Sequence, residues 1–533
     1  MDWHYGNMLE VVAETIPDDP ALIHGDEIRS WRDFDATADA LAADMIDAGL
    51  TEQSKVGIYL YNDPAYMTTM FAAFKAGLVP FNVNYRYSGN EVHYLFDNAD
   101  AEAVVFHATF APVIEEIRDR LPDVKRWYVV DDGAPAPSWA EPLEPILERD
   151  VERVDPPWGR KPDHILMMYT GGTTGMPKGV MWTHDDLFAS LGRGGQPAFG
   201  VPELTSHEEL AERVDPGQVL LPACPLMHGT GQFTAFVGLV GGAAICTMPN
   251  RSFDPAELLR TIDEHEVTSL IIVGDAFARP ILAELRENRD AYDLSTLFLM
   301  VSSGVMWSHD VKQGILEQIP GVILYDSYGS SEAVGLGQSV STAEDTGETA
   351  QFQLGERVKV FTEDGRAVEP GSDESGFVAI GGPQPLGYYK DPEKTAATFR
   401  TIDGVRYSVP GDYAQVNADG TLHLLGRGSV CINTGGEKVF PEEVEEVLKE
   451  HDSVTDAVCV GLPHERFGET ICAVVEPSAA DVDADALIAH VQGRLAKYKA
   501  PRDVVTVETI GRAPNGKVDY KRLKAHAAET LGR

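Results

Sequence analysis

Cysteine is scarce. The 533 residues contain five, Cys224, Cys246, Cys431, Cys459 and Cys472, widely spaced and with no Cys-x-x-Cys pair. That excludes a disulfide framework and the usual cysteine zinc sites, and it points to reduced thiols in a cytoplasmic compartment. Basic residues are short as well: 43 Lys and Arg face 84 Asp and Glu, a net charge of -41 at pH 7. Such a surface repels phosphate backbones and anionic lipid heads, which excludes nucleic acid as a partner. The opening MDWHYGNMLEVVAETIPDD has neither the basic region nor the apolar core of a signal peptide. No uninterrupted apolar run reaches the roughly 20 residues of a spanning helix. The longest candidate, FTAFVGLVGGAAICTM, is broken by glycines and reads as a buried helix running into a strand. There is no internal repeat, no low-complexity tract and no peroxisomal SKL tail.

What is present has an α/β rhythm. KVGIYLYN, VPFNVN, AEAVVFH, KRWYVVDD, QVLLPAC, SLIIVG, LFLMVSS and VILYDSYG have strand character, with helical patterns such as PAYMTTMFAAFKAGL between many of them. SGNEVHYLFDN opens with Ser88 and Glu91 in capping-box spacing. GAPAPSWAEPLEP reads as a surface connection. The alternation predicts doubly wound sheets with ligands at the strand C-termini. Near residue 427 the character changes. PEEVEEVLKEH begins a helix with Pro441 in its first turn and acids at its start, matching the helix dipole. Strands TDAVCVG, TICAVVEP and DVVTVETI then alternate with helical ADALIAHVQGRLAKY. The expected fold is a large N-terminal domain of doubly wound sheets, residues 1–426, and a small mobile α+β C-terminal domain, residues 431–533, joined by a hinge at 427–430.

The stretch YTGGTTGMPKGV concentrates unusual chemistry. Gly171, Gly172 and Gly175 bring backbone N–H groups close to an anion with no Cβ in the way. Thr170, Thr173 and Thr174 add hydroxyls and Lys178 a charge, so the natural guest is a polyphosphate. It is not a Walker A loop, because Pro177 precedes the lysine and Gly179 follows it. Taken alone, this could be a flexible turn. YGSSE, an aspartate in SVPGDY and a lysine in PNGKVDYKRL could likewise be a turn, a solvated acid and part of a basic tail.

Together, and in this order, these motifs resemble the AMP-forming adenylating enzymes: acyl-CoA synthetases, luciferases and peptide-synthetase adenylation domains. The resemblance covers nearly the whole chain and implies roles residue by residue. Thr170 through Gly175 and Lys178 would hold the ATP phosphates, with Gly171 standing where the family usually has serine. Glu332, with Thr174, would hold Mg²⁺, a hard cation that bridges phosphates. VSSGVM would place Ser303 and Gly304 against the adenine. Asp326 would face its amino group, and Ser327, Tyr328, Gly329 and Ser331 would complete that wall. Asp412 and Arg427 would take the ribose. His228, in PLMHGTGQF, would sit between acyl group and α-phosphate. Lys517 would steady the charge that builds at the reacting phosphorus. Ser429 is the pivot, where the family usually has Asp or Lys, and Gly435, Gly436 and Glu437 would meet the pantetheine arm of coenzyme A.

The resemblance therefore implies a ligase that joins a carboxylic acid to AMP and passes the acyl group to coenzyme A. Its co-substrates would be ATP, Mg²⁺ and coenzyme A, with no prosthetic group. The spellings around the glycine loop and GRGSVCINTGGEKVFPEEVE are similar to synthetases of fatty or sterol side-chain acids. Two alternatives stay open at this stage: an adenylating enzyme with another acceptor, through a carrier protein or oxygenation, and a non-catalytic nucleotide-binding relative. A homodimer is compatible with the chain.

Overall fold

The computed structural model describes residues 3–170, 176–196, 200–305, 307–345, 351–434, 437–464, 467–478, 482–495, 497–513 and 516–533, and the backbone alone at 427, 429, 433, 437, 438 and 468. Glycine-loop residues 171–175, and residues 435 and 436, lie outside that description.

Three sheets organise the described residues. Inside an antiparallel edge strand, Glu27–Ser30, the largest has six strands that neighbour one another in parallel: Pro20–His24, Ala244–Thr247, Val219–Pro222, Ser269–Ile272, Leu299–Ser303 and Ile323–Ser330. Their apolar character follows from burial on both faces, as in Ser269–Ile272, where every residue is buried. The second sheet centres on the parallel strands Lys55–Tyr59, Val79–Asn82, Ala101–His107 and Arg126–Val130. To these it adds the antiparallel hairpin Ile165–Thr170 and Lys178–Thr183, which flanks the glycine loop. The third and smallest contains Ile432–Thr434, Glu437–Val439, Val454–His464, Gly468–Pro477 and Asp503–Thr506. Helix Gly229–Val240 runs directly into strand Ala244–Thr247, as the glycine-broken apolar tract predicts. The Ser88–Glu91 capping box is present, with the Ser88 N–H donating to Glu91 at 2.8 Å. No helix of the described residues is long and apolar enough to cross a membrane.

One feature departs from a simple doubly wound reading. After Ile323–Ser330 the large sheet turns antiparallel through Ala333–Ser341 and Gln351–Leu354, and continues into Gly376–Ile380, Asp412–Val416 and Leu422–Arg427. Gly376–Ile380 is buried throughout, whereas Ala333–Ser341 and Asp412–Val416 mix buried with part-exposed residues. Their effect is to bring Asp412 beside Tyr328.

The N-terminal helix Tyr5–Thr15 is locked to this body by histidines. His4 caps it, its Nδ1 accepting from the Gly6 N–H at 3.1 Å, and stacks on His184 at 4.0 Å between ring centroids. His184 Nδ1 accepts the Tyr5 N–H at 3.1 Å. Burial drives both imidazoles below the usual 6.5, His184 to about 3. The unfolded chain takes up these protons near 6.5 and the folded chain resists, so the stability is complete above that value and is lost as pH falls toward 3. At about pH 5 the loss is on the order of 2 kcal/mol for a single histidine. Amide exchange should therefore show the protection of this helix falling between about pH 7.5 and 5. Protection unchanged over that range would exclude the histidine lock as its source.

Candidate active site

The C-terminal ends of the parallel strands open into a cleft of about 1790 Å³. Pockets for one small ligand span roughly 300–1,000 Å³, so this cleft has room for more than one substrate. Its rim is built by loops that two asparagines hold. Asn82 donates to the carbonyls of Tyr169 and Met227 at 2.9 and 2.7 Å and accepts from the Tyr169 N–H at 2.6 Å. It thus ties the stem of the glycine loop to the residue before His228. Asn62 accepts from the Leu226 N–H at 2.7 Å and donates to the Cys224 carbonyl at 3.0 Å, fixing the same histidine loop from its other side. Sequence reasoning missed both. The available signal was a polar side chain ending an otherwise apolar strand, VPFN and GIYLYN.

His228 precedes the first residue of helix Gly229–Val240 without capping it through its side chain, and its ring lines the cleft. Burial, with the positive charges of Lys517 and Arg86 nearby, pushes its imidazole down to about 3. It is neutral near pH 7, so it can donate one N–H to an anion without adding charge. Lys517 lies on the same cleft. Gly516 carries it there: with φ at +71° it packs so closely on the large body that a Cβ would stand 2.5 Å from Val305 Cγ2. The small module therefore reaches into the cleft through a turn only glycine fits.

YGSSE and SVPGDY meet as well. The Tyr328 hydroxyl donates to Asp412 Oδ2 at 3.1 Å, and both residues are buried. Ser303, Gly304, Ser327, Gly329, Ser331 and Glu332 line the cleft. Glu332 is set by two bonds: the Tyr388 hydroxyl donates to its Oε1 at 2.8 Å, and Ser408 donates to its backbone carbonyl at 2.6 Å. Thr170 lines the cleft at the edge of the glycine loop, while Lys178 forms an ion pair with Asp391. Arg427 pairs with Asp412 across the antiparallel ladder.

Four expected residues, Asp326, Tyr328, Asp412 and Lys178, are not among those that line the cleft. Asp326 does not line the cleft. Its carboxylate is buried against Lys312 at 3.0 Å, because strand alternation turns it to the face opposite Tyr325 and Ser327, which do line the cleft. Asp412 also lies off the lining surface, occupied with Tyr328. Lys178 is likewise absent from it, held by Asp391 instead. Gly171, Gly172, Thr173, Thr174, Gly175, Gly435 and Gly436 fall outside the described residues, as do the side chains of Arg427, Ser429 and Glu437.

Below His228 the cleft continues between helix Gly229–Val240 and the sheet. Phe233, Thr234, Val237 and Gly238 face Leu220, Ile271 and Val301, and the foot is at Gln218, Ala243 and Thr268. The 12-residue helix is about 18 Å long, and residues along it from Gly229 to Gly238 line the cleft. Other residues of the same helix, Ala235, Phe236 and Leu239, are ordinary core, so the segment both packs and lines.

Residues 9–389 match the family model described as AMP-binding enzyme, and residues 443–517 match the AMP-binding enzyme C-terminal domain. The chain is similar to a Mycobacterium tuberculosis protein named medium/long-chain-fatty-acid–CoA/3-oxocholest-4-en-26-oate–CoA ligase, 40% identical over 97% of this chain and 95% of the relative. A Rhodococcus rhodochrous protein named 3-oxocholest-4-en-26-oate–CoA ligase is 40% identical over 98% and 96%. In fold the chain resembles an anthranilate CoA ligase in complex with anthranoyl-AMP, with a TM-score of 0.84 at 21% identity over 100% and 99% of the two chains.

Gly516→Ala should lower acyl-adenylate formation at least tenfold, because its Cβ meets Val305. Val305→Ala in the same chain should restore part of that loss. A pyrophosphate-release assay on the single and double variants checks this, and a double variant no better than the single one would separate Gly516 from that contact.

Proposed function

The chain belongs to the AMP-binding enzyme family, and from that premise we propose an ATP-dependent ligase. It activates a medium- to long-chain fatty acid or a sterol side-chain acid and transfers the acyl group to coenzyme A. The observation that carries this reading is the meeting of His228, Glu332 and Lys517, far apart in sequence, on one cleft with an apolar shaft beneath it. The names of the relatives favour coenzyme A as acceptor and acids of this size as donors.

In the first step a carboxylate oxygen attacks the α-phosphorus of ATP. A C–O–P anhydride forms, the bond to the bridging oxygen breaks, and pyrophosphate leaves. Neutral His228 orients the carboxylate without competing for its charge. The Lys517 ammonium offsets the negative charge that gathers on the α-phosphoryl oxygens. Ser303, Gly304 and the YGSSE strand form the nucleotide wall. In the second step the coenzyme A thiol loses its proton and its sulfur attacks the acyl carbon. The bond from that carbon to the phosphate oxygen breaks, and AMP leaves.

The cleft suits Mg²⁺. Among the described residues no cluster of three metal-ligating side chains exists, but one carboxylate completed by phosphate oxygens is how this ion is usually held. Tyr388 donates to Oε1 of Glu332 and orients the carboxylate that, with phosphate oxygens, would hold the ion. When bound, Mg²⁺ neutralises phosphate charge.

Between the steps Lys517 must withdraw. We assign residues 1–426 to a large body, 427–430 to a hinge at Ser429, and 431–533 to a small domain that rotates. Rotation exchanges Lys517 for Gly435, Gly436 and Glu437, which meet the pantetheine arm. All five cysteines are free thiols, which favours the cytoplasm.

A pyrophosphate-release screen with ATP and Mg²⁺ over short, medium, long and sterol-type acids should give its largest response with acids long enough to fill the shaft. No release with any acid would favour a nucleotide sensor. Lys517→Ala should abolish adenylation while largely sparing thioester formation from supplied acyl-AMP. An equal loss of both half-reactions would refute the division of labour.

A further inference from the structure

We propose that Arg512 and Asp456 form a positioning pair that aims Lys517 for the adenylation half-reaction, acting through the backbone of the lysine turn rather than on substrate. The proposal rests on the reading of Lys517 given above.

The turn is closed by its own backbone. The Gly516 N–H donates to the Ala513 carbonyl at 2.7 Å and the Ala513 N–H to the Lys517 carbonyl at 2.9 Å. Such a turn keeps its shape but not its direction, because nothing in those two bonds fixes it to the sheet. Arg512 supplies that link. Its Nη1 donates to the Gly516 carbonyl at 3.2 Å, while Nε and Nη2 donate to Asp456 Oδ2 and Oδ1 at 2.6 and 2.8 Å. Asp456 belongs to strand Val454–His464, whose ladder to Gly468–Pro477 is the longest pairing in the small sheet. The side chains of both residues are 18% exposed, so water competes weakly for the guanidinium. One planar group with five donors thus spans a strand of the small sheet and the peptide next to Lys517.

The chemistry requires arginine. An ammonium has no fixed fork and cannot bond both carboxylate oxygens and the carbonyl in this geometry. Loss of the link leaves the lysine present but aimed loosely. A misplacement of about 1 Å costs on the order of a hundredfold in rate. The thioester half-reaction uses another face of the small domain and does not need this aim.

The test is Arg512→Lys and Asp456→Asn in the full chain, with Lys517→Ala alongside. Pyrophosphate release with ATP and acid is measured for each variant, and, separately, thioester formation from supplied acyl-AMP and coenzyme A. Both substitutions should lower the kcat of adenylation about 10- to 100-fold. KM for ATP and acid should stay within about twofold, as should the thioester step. The proposal is overturned by adenylation within about twofold of the unsubstituted enzyme in both variants. It is equally overturned by a matching fall in the two half-reactions, which is what a misfolded small domain gives. If Lys517→Ala itself spares adenylation, the reading of Lys517 fails, and the positioning role fails with it.

Discussion

Like charges must be brought together by a chain that shares their sign. ATP, a carboxylate and coenzyme A are all anions, and the protein carries a net charge of -41. At short range and low dielectric that repulsion would dominate any apolar gain. The cleft escapes the surrounding field. Arg86, Arg357, Lys517 and Lys521 line it, with Arg512 beside them already paired with Asp456, against five acidic residues, whereas the whole chain has about two acids for each base. Neutral His228 adds a donor and no charge. The acidic excess therefore lies elsewhere, where salt and water screen it.

That balance depends on reach. Lys517 comes from the small module, and it enters only because Gly516 lets backbone lie against Val305. Arg512 and Asp456 govern where the ammonium points once it has entered. The proposed nucleotide wall is the reverse case. It is built in place by strand ends of the large sheet, with Glu332 held by Tyr388 and the loop stems held by Asn62 and Asn82. Under the function proposed above, an anion site fixed on the large body facing a cation on a rotating domain is what a two-step acyl transfer needs, since the second nucleophile must later stand where the cation stood.

Much of this was legible in the chain, for physical reasons. Parallel strands buried on both faces read as apolar runs, so SLIIVG and AEAVVFH were placed correctly. The helix-to-strand tract after His228 declared itself through its glycines. YGSSE and PNGKV stood out through their resemblance to motifs of the family, not through periodicity. What could not be read were directions. Asp326 sits in a recognisable motif, yet strand alternation turns it to Lys312. Asn62 and Asn82 are ordinary letters whose weight comes from carbonyls more than 80 residues away in sequence. Among the antiparallel strands after Ser330, AVGLGQSVS and DYAQV interrupt their apolar residues with glycine and polar ones and left only a weak trace. The pairing of Tyr328 with Asp412 depends on them.

The claim beneath all of this is that the cleft joins an acid's own oxygen to the α-phosphorus of ATP. The direct measurement uses an acid whose carboxylate carries a heavy-oxygen label, turned over with ATP and coenzyme A, with the products weighed by mass spectrometry. One labelled oxygen should appear in AMP and none in pyrophosphate. AMP without label, or label carried away in pyrophosphate or orthophosphate, would contradict the account.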